Sequence, residues 1–138
     1  MKNYFELNEF IYSDTAIKNK IDNTPSFEVV QHLQQLRDEL LNDLREKWGS
    51  AIKVTSGYRC AKLNLLVGGV SNSGHLYGYA ADIVPVNGNF NIFCQFIKAW
   101  ANDKMFDQII IEQVKGKKWI HISLYNDKKQ QRRQVFNL

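Results

Sequence analysis

From Val29 to Trp48, apolar residues return every three or four positions: Val29, Val30, Leu33, Leu36, Leu40, Leu41, Leu44 and Trp48. That period lays them along one face of an α-helix. Thr24-Pro25 suits its start, because Thr caps well and Pro fits the first helical position. Gly49 suits its end. His32 lies beside the stripe and reads as a flank residue. A second stripe, Ile92, Phe93, Phe96, Ile97 and Trp100, predicts another helix. Elsewhere the apolar runs are short. AIKVTSG (51–57) predicts a strand entering a turn, and AADIVP (80–85) a buried strand closed by Pro85. FDQIIIEQ and KWIHISLY predict two strands joined by a tight Val-Lys-Gly-Lys connection, a hairpin. A last strand is expected over 134–138.

Between these elements lie two less regular stretches. Residues 1–23 read as an irregular segment, pinned to the body by Phe5, Leu7, Phe10 and Ile11. Residues 58–79 carry Asn64, Gly68, Gly69, Ser71, Asn72 and Ser73, and read as a long loop with one helical turn at 61–66. The glycines Gly68, Gly69 and Gly78 read as backbone devices. A loop this long in a small domain is usually functional. The element order is helix, strand, loop, strand, helix, hairpin. It predicts an α+β domain with a mostly antiparallel sheet and the helices packed on one face.

Composition narrows the function classes. The chain has 138 residues, 44% hydrophobic and 23% charged, which suits one folded domain over 1–138 and excludes a disordered chain. The net charge of +4 serves solubility as well as it serves attraction to a polyanion. Lys115, Lys117, Lys118 and the run Lys128–Arg133 read as solvated faces. No aromatic residue interrupts that run and no nucleic-acid motif accompanies it, so no nucleic-acid partner is expected. Glu6 and Glu9 stand where a secretory signal would need an apolar core. No apolar run approaches the ~20 residues of a membrane span. The expectation is a monomer made in the cytoplasm, with no membrane partner. Cys60 and Cys94 are too few for a disulfide framework and read as reduced thiols.

Asp82 poses the chemical question, because it lies inside AADIVP, among Ala, Ile and Val. A buried carboxylate is expensive unless it is paired or bound to a metal. His75 precedes it by seven residues across a glycine-bearing loop, and His121 sits in the second hairpin strand between two isoleucines. Each group alone reads as a satisfied core or surface residue. Together, two imidazoles and a carboxylate form a good set for a divalent transition metal, zinc first. Three protein ligands leave the fourth tetrahedral position open, as in a catalytic zinc site.

The run VTSGYRCAKLNLLVGGVSNSGHLYGYAADI (54–83) resembles the core signature of the M15 zinc peptidases, the D-Ala-D-Ala carboxypeptidase family, whose fold is related to the hedgehog signalling domain. The shared positions are Ser56-Gly57-Tyr58-Arg59, Leu63-Asn64, Val67-Gly68-Gly69, then Ser73, His75, Gly78, Ala80 and Asp82. Trp119-Ile120-His121 matches the context of the family's third ligand. FELNEFIYSDTA (5–16) and Asn23-Thr24-Pro25 are similar to the phage and prophage branch. The resemblance implies a hedgehog/DD-peptidase-like fold and zinc at His75, Asp82 and His121. It also implies bacterial peptidoglycan peptides as substrate and a phage-derived enzyme acting on the cell wall.

A zinc peptidase needs a general base beside the metal-bound water. Many family members carry a Glu three residues before the last His. Here that position is Lys118, a departure, because a charged Lys cannot take the proton. Glu112 is the alternative if the hairpin turn holds an even number of residues, such as Lys115-Gly116. Pairing 112 with 119 and 110 with 121 then puts Glu112 and His121 on one face. An odd turn inverts the faces and leaves Glu112 a surface strand residue. Asp107 is a weaker candidate. By the resemblance, Arg59 binds substrate or stabilises the developing oxyanion, for which a forked permanent cation is suited; the plainer reading is a bridge to loop carbonyls. Ser73 binds substrate or orders the loop. Tyr58 reads as packing. The expectation is a zinc metallopeptidase of peptidoglycan stem peptides. The rival is a non-catalytic zinc-binding module of the same fold, in a wall-binding or phage structural role.

Overall fold

A computed structural model describes residues 2–138. Five strands form one sheet: β1 (Ile52–Ser56), β2 (Ala80–Pro85), β3 (Gln108–Val114), β4 (Lys117–Ser123) and β5 (Gln134–Asn137). Their spatial order is β1-β2-β4-β3-β5. All neighbours run antiparallel except β3 and β5, which are parallel. The domain is thus α+β with a mostly antiparallel sheet, as expected.

Strand side chains alternate between faces, and here the two faces differ in chemistry. Ala81, Ile83, Ile109, Ile120 and Ile122 are fully buried on one of them. They share a core with Leu33, Leu36, Leu40, Leu41 and Leu44 and with Phe93, Ile97 and Trp100 of α6 (Phe90–Trp100). The other face carries Asp82, Ile110, Glu112, Trp119 and His121. The hairpin turn is Lys115-Gly116, with φ of +50° and +80°. Positive φ at both central residues is the turn type whose twist matches a two-residue hairpin. The resulting register pairs Val114 with Lys117, Glu112 with Trp119 and Ile110 with His121.

The long helix departs from expectation at its start and in its middle. Ser26, not Thr24-Pro25, caps it: its hydroxyl accepts from the Val29 N–H at 3.2 Å. α2 therefore runs Phe27–Leu36, and the Thr24 hydroxyl donates instead to Asp22. A π-helical segment, Arg37–Leu41, separates α2 from α3 (Asn42–Trp48). Gly49 ends the run at φ +79°, as its position suggested.

The N-terminal stretch is more ordered than the sequence suggested. A 3₁₀ turn spans Leu7–Phe10, and α1 spans Asp14–Lys18 with Ser13 as its cap. Phe5 and Phe10 are buried, so the expected pinning holds. The 58–79 stretch contains the expected helical turn, α4 (Ala61–Leu66), and a second, α5 (Gly74–Tyr77), that the density of Gly, Ser and Asn concealed. His32 stacks on Tyr79 with ring centroids 4.1 Å apart, the flank role expected of it. Cys60 and Cys94 are free thiols. Among the described residues no helix is long and apolar enough to cross a membrane.

Candidate metal centre

Three elements converge on the polar face of the sheet. β2 contributes Asp82, whose Cα neighbour on β4 is His121. The short α5 contributes His75. Ser73 caps α5 by accepting from the His75 N–H at 3.2 Å. Gly78 closes it at φ +79°, where a Cβ would press on the Val29 carbonyl. One helical turn and one left-handed glycine thus fill the seven-residue interval between His75 and Asp82.

The donor atoms meet closely. Nε2 of His75 lies 3.2 Å from Oδ1 of Asp82, and Nδ1 of His121 lies 3.2 Å from the same oxygen. The two imidazole centroids are 5.1 Å apart. All three ligand atoms lie within 4.8 Å of one another. Donors about 2.0–2.1 Å from a tetrahedral zinc sit roughly 3.3 Å apart, so the Asp82 spacings suit that ion.

The tautomer of His75 follows from its other nitrogen. Nδ1 faces the Gly57 carbonyl at 2.6 Å. A carbonyl only accepts, so Nδ1 carries the hydrogen. In the neutral ring, Nε2 then presents a lone pair to the Asp82 carboxylate. Two acceptors at 3.2 Å require a cation between them, a proton or a metal. With a proton in that position and no metal, burial pushes the Asp82 carboxyl up, but the charge of His75 and hydrogen bonds from both imidazoles outweigh burial and hold it well below the usual carboxylate range. The carboxylate is therefore ionised, as a metal ligand must be. His75 is 1% exposed, so its ring has little freedom to turn away.

The centre lies in a cleft of about 660 Å³, lined by Arg59, His75, Asp82, Glu112, Trp119 and His121 among others. A second depression shares Arg59, Asp82 and Trp119 with it. The Arg59 N–H donates to the His75 carbonyl at 3.1 Å. Burial lowers the Arg59 pKa, while Asp82 and Glu112 push it back up; a guanidinium stays charged in either case. Its Nε is buried without a hydrogen-bond partner.

Glu112 shares a face with His121, as the two-residue turn requires, and Oε2 accepts from the Trp119 indole N–H at 3.0 Å. Lys118 is exposed on the opposite face, paired with Gln113. Asp107 also lines the cleft, but the Arg132 guanidinium grips it with two hydrogen bonds of 2.8 Å, and the Arg132 N–H adds a third at 3.2 Å. Three of its roughly four acceptor sites are thus taken by Arg132, which commits Asp107 to an ion pair and weakens it further as a base candidate. Ser73 orders α5 by its cap and also faces the cleft. The Gly57 carbonyl was not legible as part of the centre, because a backbone group leaves no mark in the residue pattern. The Trp119 contact to Glu112 was legible only as a register consequence.

A protein-family model described as Peptidase M15 matches residues 3–123. That span contains Arg59, Ser73, His75, Asp82, Glu112 and His121. No curated protein matches the chain.

Proposed function

The chain belongs to the peptidase M15 family, and from that premise we propose that it is a zinc-dependent peptidase of peptidoglycan stem peptides. The observation that carries this reading is the convergence of His75, Asp82 and His121 on one point of an open cleft. When bound there, zinc would polarise the scissile carbonyl and bring the pKa of its water to about 7. His75 holds its metal-facing nitrogen bare by donating from Nδ1 to Gly57. Glu112 accepts the proton of the attacking water and returns it to the leaving amine. Trp119 orients that carboxylate through the indole N–H. Arg59, which lines the cleft, holds the substrate carbonyl oxygen or a terminal carboxylate. Ser73 keeps its hydroxyl hydrogen for a substrate acceptor while its oxygen caps α5. The sheet and its flanking helices are read as the fold shared by DD-peptidases and the hedgehog domain.

The test is metal content together with digestion of purified peptidoglycan, read by mass spectrometry. The expected result is about one zinc per chain, largely lost in His75→Ala and His121→Ala, with stem peptides shortened or cross-links cut only by the loaded protein. Intact stem peptides with zinc in place would instead support a non-catalytic module. The observation favouring that second reading is Lys118, which stands where many family members carry Glu.

A further inference from the structure

The Asn23-Thr24-Pro25 stretch does not start the long helix, which Ser26 caps. Asn23 has a different partner. It is 8% exposed, and its side chain reaches the segment that supports the metal centre. Nδ2 donates to the Ile11 carbonyl at 2.9 Å and to the Tyr58 carbonyl at 3.0 Å. Oδ1 accepts from the Cys60 N–H at 2.8 Å. One side chain thus grips the chain on both sides of Arg59 and ties it to the N-terminal segment.

The gripped segment needs such a partner. Residues 57–60 lie between the end of β1 and the start of α4, so no ladder satisfies their backbone. Two of them contact the centre directly. The Gly57 carbonyl accepts from His75 Nδ1, and the Arg59 N–H donates to the His75 carbonyl. The Tyr58 N–H donates to the Phe10 carbonyl at 2.6 Å, a second tie to the N-terminal segment.

We infer that Asn23 is a positioning residue for the metal centre. It acts through Gly57 on the tautomer and aim of His75, and through Tyr58 and Cys60 on the placement of Arg59. The inference rests on the peptidase reading only through the metal site. A buried Asn that merely satisfied nearby carbonyls would affect stability alone. Asn42 supplies the comparison. It is 2% exposed and also holds the N-terminal segment, accepting from the Tyr4 N–H and donating to Asn3, but it touches no residue of the centre.

The experiment titrates the full chain with Co2+, whose visible absorption reports ligand geometry, and with Zn2+ in competition with a chromophoric chelator. Melting of the metal-free protein is recorded alongside. The variants are Asn23→Ala, Asn23→Asp and Asn42→Ala. Asn23→Asp keeps the acceptor for Cys60 but sets a carboxylate oxygen against the Ile11 and Tyr58 carbonyls. Both Asn23 variants are expected to lose about 10-fold in metal affinity, the low end of the effect of losing an outer-shell partner because Asn23 reaches His75 only through the 57–60 backbone, and to shift the cobalt band. Asn42→Ala is expected to melt lower with affinity and band unchanged. If Asn23→Ala does not fold, Asn23→Ser admits water to the same carbonyls and carries the comparison. Asn23 variants that melt lower yet bind metal within twofold of the unsubstituted chain would overturn the inference. A chain that binds cobalt but leaves stem peptides intact keeps this inference and loses the catalytic one. A chain that takes up no cobalt loses both.

Discussion

Gly57→Ala is a one-methyl test of how the centre is held. A Cβ at Gly57 would overlap the carbonyl, Cα and C atoms of Phe10. These are backbone atoms, so no rotamer change relieves the clash, and the 57–60 segment must move away from the 3₁₀ turn. Overpacking of this kind costs about 1–3 kcal/mol. The displaced hydrogen bond from Tyr58 to Phe10 adds about 1 kcal/mol. For 138 residues, each kcal/mol lowers the melting temperature by about 3.5 °C. A total of about 2–4 kcal/mol therefore predicts a fall of roughly 7–14 °C in the metal-free protein. The same displacement carries the Gly57 carbonyl away from His75 Nδ1. Zinc affinity should drop by about 10- to 100-fold in addition. Differential scanning calorimetry of the metal-free chain and chelator competition for zinc measure the two effects separately. A variant that melts within 2 °C of the parent, or that binds zinc as tightly as the parent, would refute the reasoning.

Three further outcomes can be checked. Glu112→Gln keeps the acceptor for the Trp119 indole but cannot take a proton, so hydrolysis should fall about 10²- to 10⁴-fold with zinc content unchanged; full activity would remove Glu112 from the mechanism. Chelation of a loaded sample should lower the melting temperature by roughly 14 °C, from about 4 kcal/mol at free zinc a thousandfold above Kd, and an unchanged melt would argue against a site formed only in the native state. The folded chain holds the Asp82 carboxyl below its unfolded value near 3.9. Its contribution is then present above pH ~4 and is lost as pH falls toward the folded value. Metal-free parent and Asp82→Asn should therefore converge in stability below pH ~4, and acid-unfolding curves that stay parallel would contradict this.

Much of this molecule was legible because its chemistry follows simple periods. The leucines of the long helix and the alternation in β3 and β4 were legible from their periods, but whether Glu112 and His121 share a face hung on the parity of the turn, which the Lys115-Gly116 geometry decides. The direction of β5 was not legible, since a short edge strand of exposed residues carries no pattern that distinguishes parallel from antiparallel pairing. α5 was hidden because a single turn bounded by Ser73 and Gly78 uses the same residue types as a loop. The π segment was hidden because one widened turn barely disturbs the apolar period. Asn23 was hidden because the adjacent Thr24-Pro25 offered a local capping explanation for a residue whose partners lie 12 to 37 positions away.

The division of the sheet into one apolar and one charged surface guards the chain against mispairing. Were β4 to slide one step along β2, Ile122 would take the place of His121 opposite Asp82. The isoleucines would turn toward water and the imidazole toward the leucine-filled side. Such a slip would take one of its two imidazole partners, His121, from an ionised carboxylate and leave only His75 beside it, at a cost of several kcal/mol. A misaligned fold is therefore excluded by the very groups that make the aligned one useful, and the ligands of the centre double as registration marks for assembly of the sheet.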